Sequence, residues 1–281
     1  MKIYLYFLLA SFLLTGCLLT PKDPPNAIRP GDLTPINPVQ AVIQLSDISG
    51  SFNETRADAF FLEQLPREQQ MREGECKIYQ DSTREEDKWQ LVSAGKVMMG
   101  TALGSKLLEL KKDEYNRYQL KLNKQVAPGF YQVYVQGSKK DGHILIPGFQ
   151  ILGISMPEVI EGVRLNDESP NPAKVYSLKK GDLKVTWNSQ SFPNDYTRFI
   201  FQAVAKQNNI LTTLQCVTEE PEVNPSRLAW TIPKSYINQL PNAEVAEVNF
   251  ARVHVRGSEG DKFLVQFKGI RQYTLATKIT E

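Results

Sequence analysis

The feature that most restricts the fold is a hydrophobic period of two. Val39, Ala41, Ile43 and Leu45 alternate with Gln40, Gln44 and Ser46. Leu183, Val185 and Trp187 alternate with Lys184, Thr186 and Asn188, and Phe263, Val265 and Phe267 share one side of a later run. Val253 and Val255 alternate with Arg252, His254 and Arg256. Successive strand residues point to opposite faces, so each run buries one face and wets the other, as antiparallel strands do. Further strands are predicted at 57–63, 74–80, 105–110, 115–122, 129–136, 144–152, 196–206, 211–217 and 226–232. Turn residues separate them: Pro128-Gly129, Asp141-Gly142, Lys180-Gly181-Asp182 and Glu259-Gly260-Asp261. Many short strands punctuated in this way predict an all-β chain of sandwiches. Helical signal is confined to Pro233–Leu240, where a proline in the first turn precedes Tyr236, Ile237 and Leu240 on one side, and Pro241 stops the run. That short helix is expected to cover one end of the second sandwich. The charged stretches Leu65–Glu75 and Asp81–Lys88 read as solvated loops on either side of the strand carrying Cys76.

The amino terminus has a different character. Lys2 precedes an apolar run from Ile3 to Leu14, the layout of a signal peptide. A membrane span needs about 20 such residues, so the run is too short to be one. Leu14-Thr15-Gly16-Cys17 resembles the lipobox of bacterial lipoprotein precursors. The resemblance implies that the Cys17 thiol receives a diacylglyceryl group and that its amine is acylated after cleavage. Each buried methylene adds about 0.8 kcal/mol, so several chains hold where one is marginal. Leu18, rather than an aspartate, follows the cysteine. In the sorting habits of Gram-negative lipoproteins that implies the outer membrane. Residues 17–38 then carry Pro21, Pro24, Pro25, Pro30, Pro35 and Pro38. Proline fixes φ and removes donors, so this segment reads as a semi-rigid tether that forms neither helix nor sheet ladder.

The expected organisation is a signal peptide at 1–16, the lipidated tether at 17–38, a first β-sandwich at 39–155 and a second at 156–281. The boundary falls at Ser155-Met156-Pro157, where one strand pattern ends and the apolar run Val159–Leu165 begins. The chain has 33 basic and 31 acidic residues, a net charge of +2, and loses only Lys2 with the signal. A nearly neutral body makes no electrostatic case for nucleic acid.

Two passages carry a second resemblance. One is Ala127-Pro128-Gly129-Phe130-Tyr131-Gln132-Val133, preceded by Cys76 and by Ser93-Ala94-Gly95-Lys96-Val97. The other runs Leu183-Lys184-Val185-Thr186-Trp187, Leu214-Gln215-Cys216, Trp230-Thr231-Ile232-Pro233 and Gln239-Leu240-Pro241. Their order is similar to that of exported β-sandwich proteins with immunoglobulin-like modules. It implies two tandem immunoglobulin-like antiparallel sandwiches and transfers no catalytic residue. Trp187 is expected to fill the space between two sheets. Cys76 and Cys216 have two readings: a disulfide, which an oxidising compartment permits, or two small buried hydrophobes.

Candidate chemistry is sparse. His143 sits in a turn and His254 lies between two arginines, neither with a carboxylate or cysteine at ligand spacing, so no metal and no cofactor are expected. Ser177-Leu178-Lys179-Lys180 has the serine–lysine spacing of some acylating enzymes, but that spacing works on a helix and here it falls beside Gly181 in an expected loop. Asn166-Asp167-Glu168 and Glu85-Glu86-Asp87 are acidic clusters without the spaced oxygens of a calcium loop. Two surfaces remain as candidates for ligand binding. Arg252, His254 and Arg256 are expected to point outward as a basic row, and Phe130 and Tyr134 as an outward aromatic pair. The functional expectation is a lipid-anchored, non-enzymatic binding or structural module of the cell envelope. Its partner would be another envelope protein or a glycan. The alternatives are an envelope hydrolase with a site assembled from loops, and an assembly factor of a surface complex.

Overall fold

The computed structural model describes residues 27–28, 39–62, 74–81, 91–101, 106–188, 197–208, 210–219, 227–260 and 263–281. The anchor, most of the tether and the bulk of the two charged loops lie outside these residues. The first half contains β1 (Ala27–Ile28), β2 (Val39–Gly50), β3 (Glu54–Phe61), β4 (Cys76–Asp81), β5 (Val97–Thr101) and β6 (Leu108–Glu109). It continues with β7 (Lys111–Lys112), β8 (Tyr118–Leu122), β9 (Gly129–Val135), β10 (Ser138–Lys140), β11 (His143–Ile146) and β12 (Phe149–Met156). The second half has β13 (Arg164–Leu165), β14 (Tyr176–Lys179), β15 (Leu183–Asn188), β16 (Thr197–Gln207) and β17 (Ile210–Glu219). It ends with β18 (Arg227–Ile232), helix α1 (Lys234–Ile237), β19 (Ala243–Gly260) and β20 (Phe263–Thr280). The all-β expectation holds.

The longest elements are β19 and β20, 18 residues each, paired antiparallel from Ala243↔Ile279 to Gly260↔Phe263. At about 3.3 Å per residue such a ribbon is about 60 Å long. It forms the centre of an 11-stranded sheet with the path β4-β17-β16-β19-β20-β2-β3-β8-β7. The free edge of β20 is filled by two strands in succession, both parallel to it. First β2 runs beside Leu264–Thr274, then β14 beside Thr277–Thr280. The handover occurs at Gly50, where a Cβ would stand 2.1 Å from the Thr274 carbonyl oxygen. Its φ of 110° is also one that side chains avoid. Ser51 then closes the gap: its amide donates to Thr274 O, and its hydroxyl donates to Pro172 O and accepts from the Ala276 amide.

Two smaller sheets, β12-β9-β5-β6 and β13-β15-β18, lie side by side on one face of the large one. Under the first, Ile43, Leu45, Phe61, Val97, Tyr118, Val133 and Ile154 form a core with Val265 and Phe267 from the start of β20. Under the second, Leu183, Val185, Trp187, Phe199, Phe201, Val248 and Phe250 form a core with Leu275 and Ile279 from its end. Ile237 of α1 and Leu240 just after it close this second core, as the helix was expected to do.

The expected pair of tandem antiparallel sandwiches therefore takes another form. The small sheets divide where β12 ends at Met156, but the backing sheet is common to both cores and mixed in direction. The physical reason is the hairpin. Its core-facing side continues past both cores, apolar at each end and interrupted between them by Arg252 and Arg271, so it cannot belong to one half. The tether is also corrected. Ala27 and Ile28 pair with Ser258 and Gly257 of β19; they lie in the four-residue stretch between Pro25 and Pro30, where the backbone keeps its amides.

The shared sheet also decides the cysteine question. Strand β4 leaves the first half and pairs with β17, placing Cys76 directly opposite Cys216. The two form a disulfide with a Cα–Cα distance of 4.1 Å, across 140 residues of sequence. In the chain-entropy account, closing a loop of this length stabilises by about 4–5 kcal/mol.

Trp187 lies flat on Phe199, with centroids 3.8 Å apart and planes at 7°, between the second small sheet and the large one. Trp187→Ala should cost about 3–5 kcal/mol through lost burial and a residual cavity. A urea melt would read this as a lowered midpoint; an unchanged midpoint would mean the ring is not enclosed.

Candidate functional site

The basic row does not face solvent. The core-facing residues of β19 are Ala246, Val248 and Phe250, and the same alternation continued puts Arg252, His254 and Arg256 on that face. Arg252 is 1% exposed and His254 6%, while Val253 and Val255, also buried, point to the opposite side of the strand. The expectation fails because a five-residue window shows only Val253 and Val255 as apolar and so gives the core to them. Extending the count back through Phe250 and Val248 reverses the phase.

These side chains lie in the seam between the two cores. Arg252 stands directly opposite Arg271 on β20, both buried. Like charges facing each other across strands destabilise unless each is neutralised. Here each guanidinium turns to a different set of acceptors. Arg252 donates to the carbonyls of Val159 and Asn188. Arg271 donates to the carbonyls of Pro157 and Val126 and forms an ion pair with Asp47 of β2. Asp47 also accepts from the Thr55 hydroxyl. Burial pulls the Arg271 pKa down and the Asp47 carboxylate opposes that shift. Pro157 and Val159 belong to the connector that carries the chain from one small sheet to the other, so the two arginines grip this crossing from below.

His254 sits one step along the seam. Its Nδ1 is 3.2 Å from Ser155 Oγ and its Nε2 is 2.6 Å from Thr197 Oγ1. Ser155 reaches it because the register of β12 shifts between Leu152 and Ile154, and because Gly269 lets the strand end lie against β20. A Cβ on Gly269 would stand 2.0 Å from Ser155 O. Burial lowers the His254 pKa from 6.5 to about 4; the Arg256 and Arg252 cations add to this, and a hydrogen bond to the Ser155 backbone opposes it. The pair is a serine beside a base, but it is sealed between sheets, and the far ring nitrogen meets a threonine hydroxyl rather than a carboxylate. A nucleophile needs access and its base an orienting acceptor, so the geometry serves packing rather than acyl transfer.

Arg256, at the end of the row, joins the two candidate surfaces. Its guanidinium lies 5.1 Å from the centroid of the Phe130 ring. On β9, Tyr131, Val133 and Val135 face the core, and Phe130, Gln132 and Tyr134 the outside. Gln150 stands opposite Tyr134, and Leu152 opposite Gln132. The outer face of the first small sheet thus presents an exposed phenyl ring, a half-buried phenol, two amides and an apolar side chain, with an arginine at one end.

The other sequence candidates do not come together. Cys17 and Glu85-Glu86-Asp87 lie outside the described residues. His143 opens β11. Ser177 and Lys180 flank the end of a strand, β14, rather than a loop or helix, and Ser177 Oγ is 3.3 Å from Thr280 Oγ1. Asn166 and Asp167 form a tight turn with φ of 48° and 67°, pinned by Lys184. No group of three metal-ligating side chains occurs among the described residues. The sequence reading missed Arg271, Asp47, Ser155 and Thr197. For Arg271 a signal existed, since Phe267, Tyr273 and Leu275 share its parity.

The molecule is thus an all-β protein whose one long mixed sheet backs two short ones, with a cation–aromatic patch beside the seam. No family model and no curated protein matches the chain. Among solved structures it is similar to a DUF3823 family protein from Parabacteroides merdae, at 6% identity and a TM-score of 0.25, covering 82% of this chain and 99% of that one. It is also similar to a crystal structure of titin domains, at 11% identity and a TM-score of 0.18, covering 90% of this chain and 66% of that one.

Two outcomes follow from the seam. Arg271→Met should cost about 3–5 kcal/mol, because it leaves Asp47 buried without its partner. Adding Asp47→Asn should recover part of the loss, and a double-mutant cycle in urea would show the coupling. His254, neutral in the fold, binds a proton more readily once unfolded. Its contribution is therefore fully present above pH 6.5 and falls as the pH drops toward 4. At about 1.4 kcal/mol per pH unit the loss reaches about 3 kcal/mol. His254→Gln should flatten that part of the stability–pH curve; a parallel curve would remove His254 as its source.

Proposed function

We propose that the chain is a lipid-anchored lipoprotein of a bacterial cell envelope and that its β body is a non-catalytic binding module. The anchor reading rests on Leu14-Thr15-Gly16-Cys17 behind a short apolar run. The pairing of Ala27 with Ser258 supports a fixed pose for the body. Ala27 lies ten chain steps after Cys17. At no more than about 3.6 Å each they keep the turn end of the long hairpin within about 36 Å of the lipid.

The observation that carries the binding role is the meeting of Arg256 with Phe130, on the strand face that also carries Gln132 and Tyr134. Exposed aromatic rings and arginine are enriched where partners bind, because each combines a large contact area with a directed polar or cationic end. A face of this chemistry, with Gln132 and Gln150 beside the rings, suits an envelope glycan or a protein surface. The sealed Ser155–His254 pair supports a binding module over a hydrolase.

Two measurements test the reading. Labelled fatty acid should enter the parent protein, and Cys17→Ser should abolish that labelling and release the protein from membranes. Native envelopes should retain the parent body, and the Phe130→Ala, Tyr134→Ala double variant should lose retention about tenfold or more while melting as the parent does. Retention unchanged in that variant would place binding elsewhere.

A further inference from the structure

The outer face of the large sheet, on the side away from Phe130, holds a polar feature that the fold itself does not explain. On β3, Ala57, Ala59 and Phe61 face the core, so Glu54, Arg56 and Asp58 point outward. An outward carboxylate is normally wet. The Asp58 side chain is instead 2% exposed, and its Oδ1 has no hydrogen-bond partner among the described residues. The other oxygen, Oδ2, accepts from Gln44 Nε2 at 3.3 Å. Arg56 Nε lies 3.0 Å from Oδ2 as an ion contact, off the angle of a hydrogen bond. A carboxylate oxygen denied both water and a donor is costly, and in native proteins such groups are few and call for an explanation. Burial raises the Asp58 pKa, with Arg56 and Gln44 opposing.

The surroundings define what would satisfy it. Register places Gln44 and Gln119 on either side of Asp58, and Lys121 beside Arg56. Lys268 lies next to Gln44, two strands from Asp58. The cations are at the rim: the Arg56 side chain is 43% exposed and that of Lys121 78%, with Glu54 within 3.3 Å of Lys121. A metal ion or an amine would have to pass these positive charges. A neutral hydroxyl carries a donor for Asp58 without that repulsion. An anionic group on the same molecule would be drawn to the rim cations, Arg56 and Lys121. Hydroxyl donors and a negative charge together describe an acidic sugar, and the amides of Gln44 and Gln119 supply the neutral hydrogen bonds that sugars take.

We propose that the outer face of the large sheet around Asp58 binds an acidic saccharide, with a sugar hydroxyl donating to Asp58 Oδ1 and the sugar's acid held by Arg56 and Lys121. This goes beyond the Phe130 surface, which lies on the opposite outer face of the sandwich, and the two stand or fall separately. The test is calorimetric titration of the mature body with trigalacturonic acid, against maltotriose as an uncharged control. Trigalacturonic acid should bind at least tenfold more tightly than maltotriose, and its affinity should fall as salt is raised. Asp58→Asn, close to isosteric, should lose binding at least tenfold with the melting temperature unchanged or higher. Lys121→Ala, at an exposed position, should weaken binding severalfold and reduce the salt dependence. Phe130→Ala should leave this affinity unchanged. The proposal is overturned if neither saccharide binds, if maltotriose binds as well as the acid, or if Asp58→Asn or Lys121→Ala binds like the parent. It is equally overturned if Phe130→Ala removes the binding, since the ligand would then sit on the other face.

Discussion

The architecture depends on the buried guanidinium of Arg271. It stands in the middle of the longest hairpin, at the level where one core gives way to the other. From there it reaches Asp47 on β2, the carbonyl of Val126 before β9, and the carbonyl of Pro157 in the connector. A buried charge is tolerated only when its donors are used, and here they are used on three separate segments. The result is directional. Hydrophobic burial would let the two small sheets slide on the large one, whereas carbonyls held by a planar fork set their positions. Arg252 repeats the arrangement one strand away, with Val159 and Asn188. Retaining such groups in place of apolar ones accords with a need for one arrangement of the two cores rather than for maximal stability.

Around this seam the long hairpin makes the two halves mechanically one body. Both cores close on the same ribbon, so loosening either exposes apolar surface on strands that the other also uses. The edge of the large sheet is secured differently. Strand β4 belongs to the first half in sequence but lies at the far end of the second, where the Cys76–Cys216 bond ties it to β17. A segment arriving from so far along the chain has a high entropic tendency to leave, and a covalent link offsets it. Such a body is suited to holding surfaces in fixed relation to one another. The Phe130–Arg256 patch and the Asp58 face point away from opposite sides of the same sandwich, and the seam determines their spacing.

Much was legible from residues alone. Alternation placed the strands around Leu45, Val133 and Trp187 within a residue or two, and the Asp141-Gly142 turn joins β10 to β11 with φ of 52° and 81°. Proline and spacing located the helix at 234–237 and its buried Ile237. These are local properties, since side-chain direction, turn conformation and proline chemistry act within a few residues. The phase of the Arg252 row is set by Val248 and Phe250 upstream rather than by its own valines. Both faces of that strand carry apolar residues, and a short window cannot tell which face a second layer will cover.

The sequence by itself determined that this chain is built of strands, where most of them lie, that Trp187 is enclosed, and which residues line the outer face of β9. Only the tertiary structure decided that two cores share one sheet, that β2 and β14 run parallel to β20, that Cys76 meets Cys216, and that Arg256 comes to rest over Phe130. The physical reason is range. Strand identity follows from a period of two in neighbouring residues, whereas strand order and the pairing of buried charges follow from competition among segments a hundred or more residues apart. No local pattern encodes the partner that an arginine such as Arg271 finds 224 residues away.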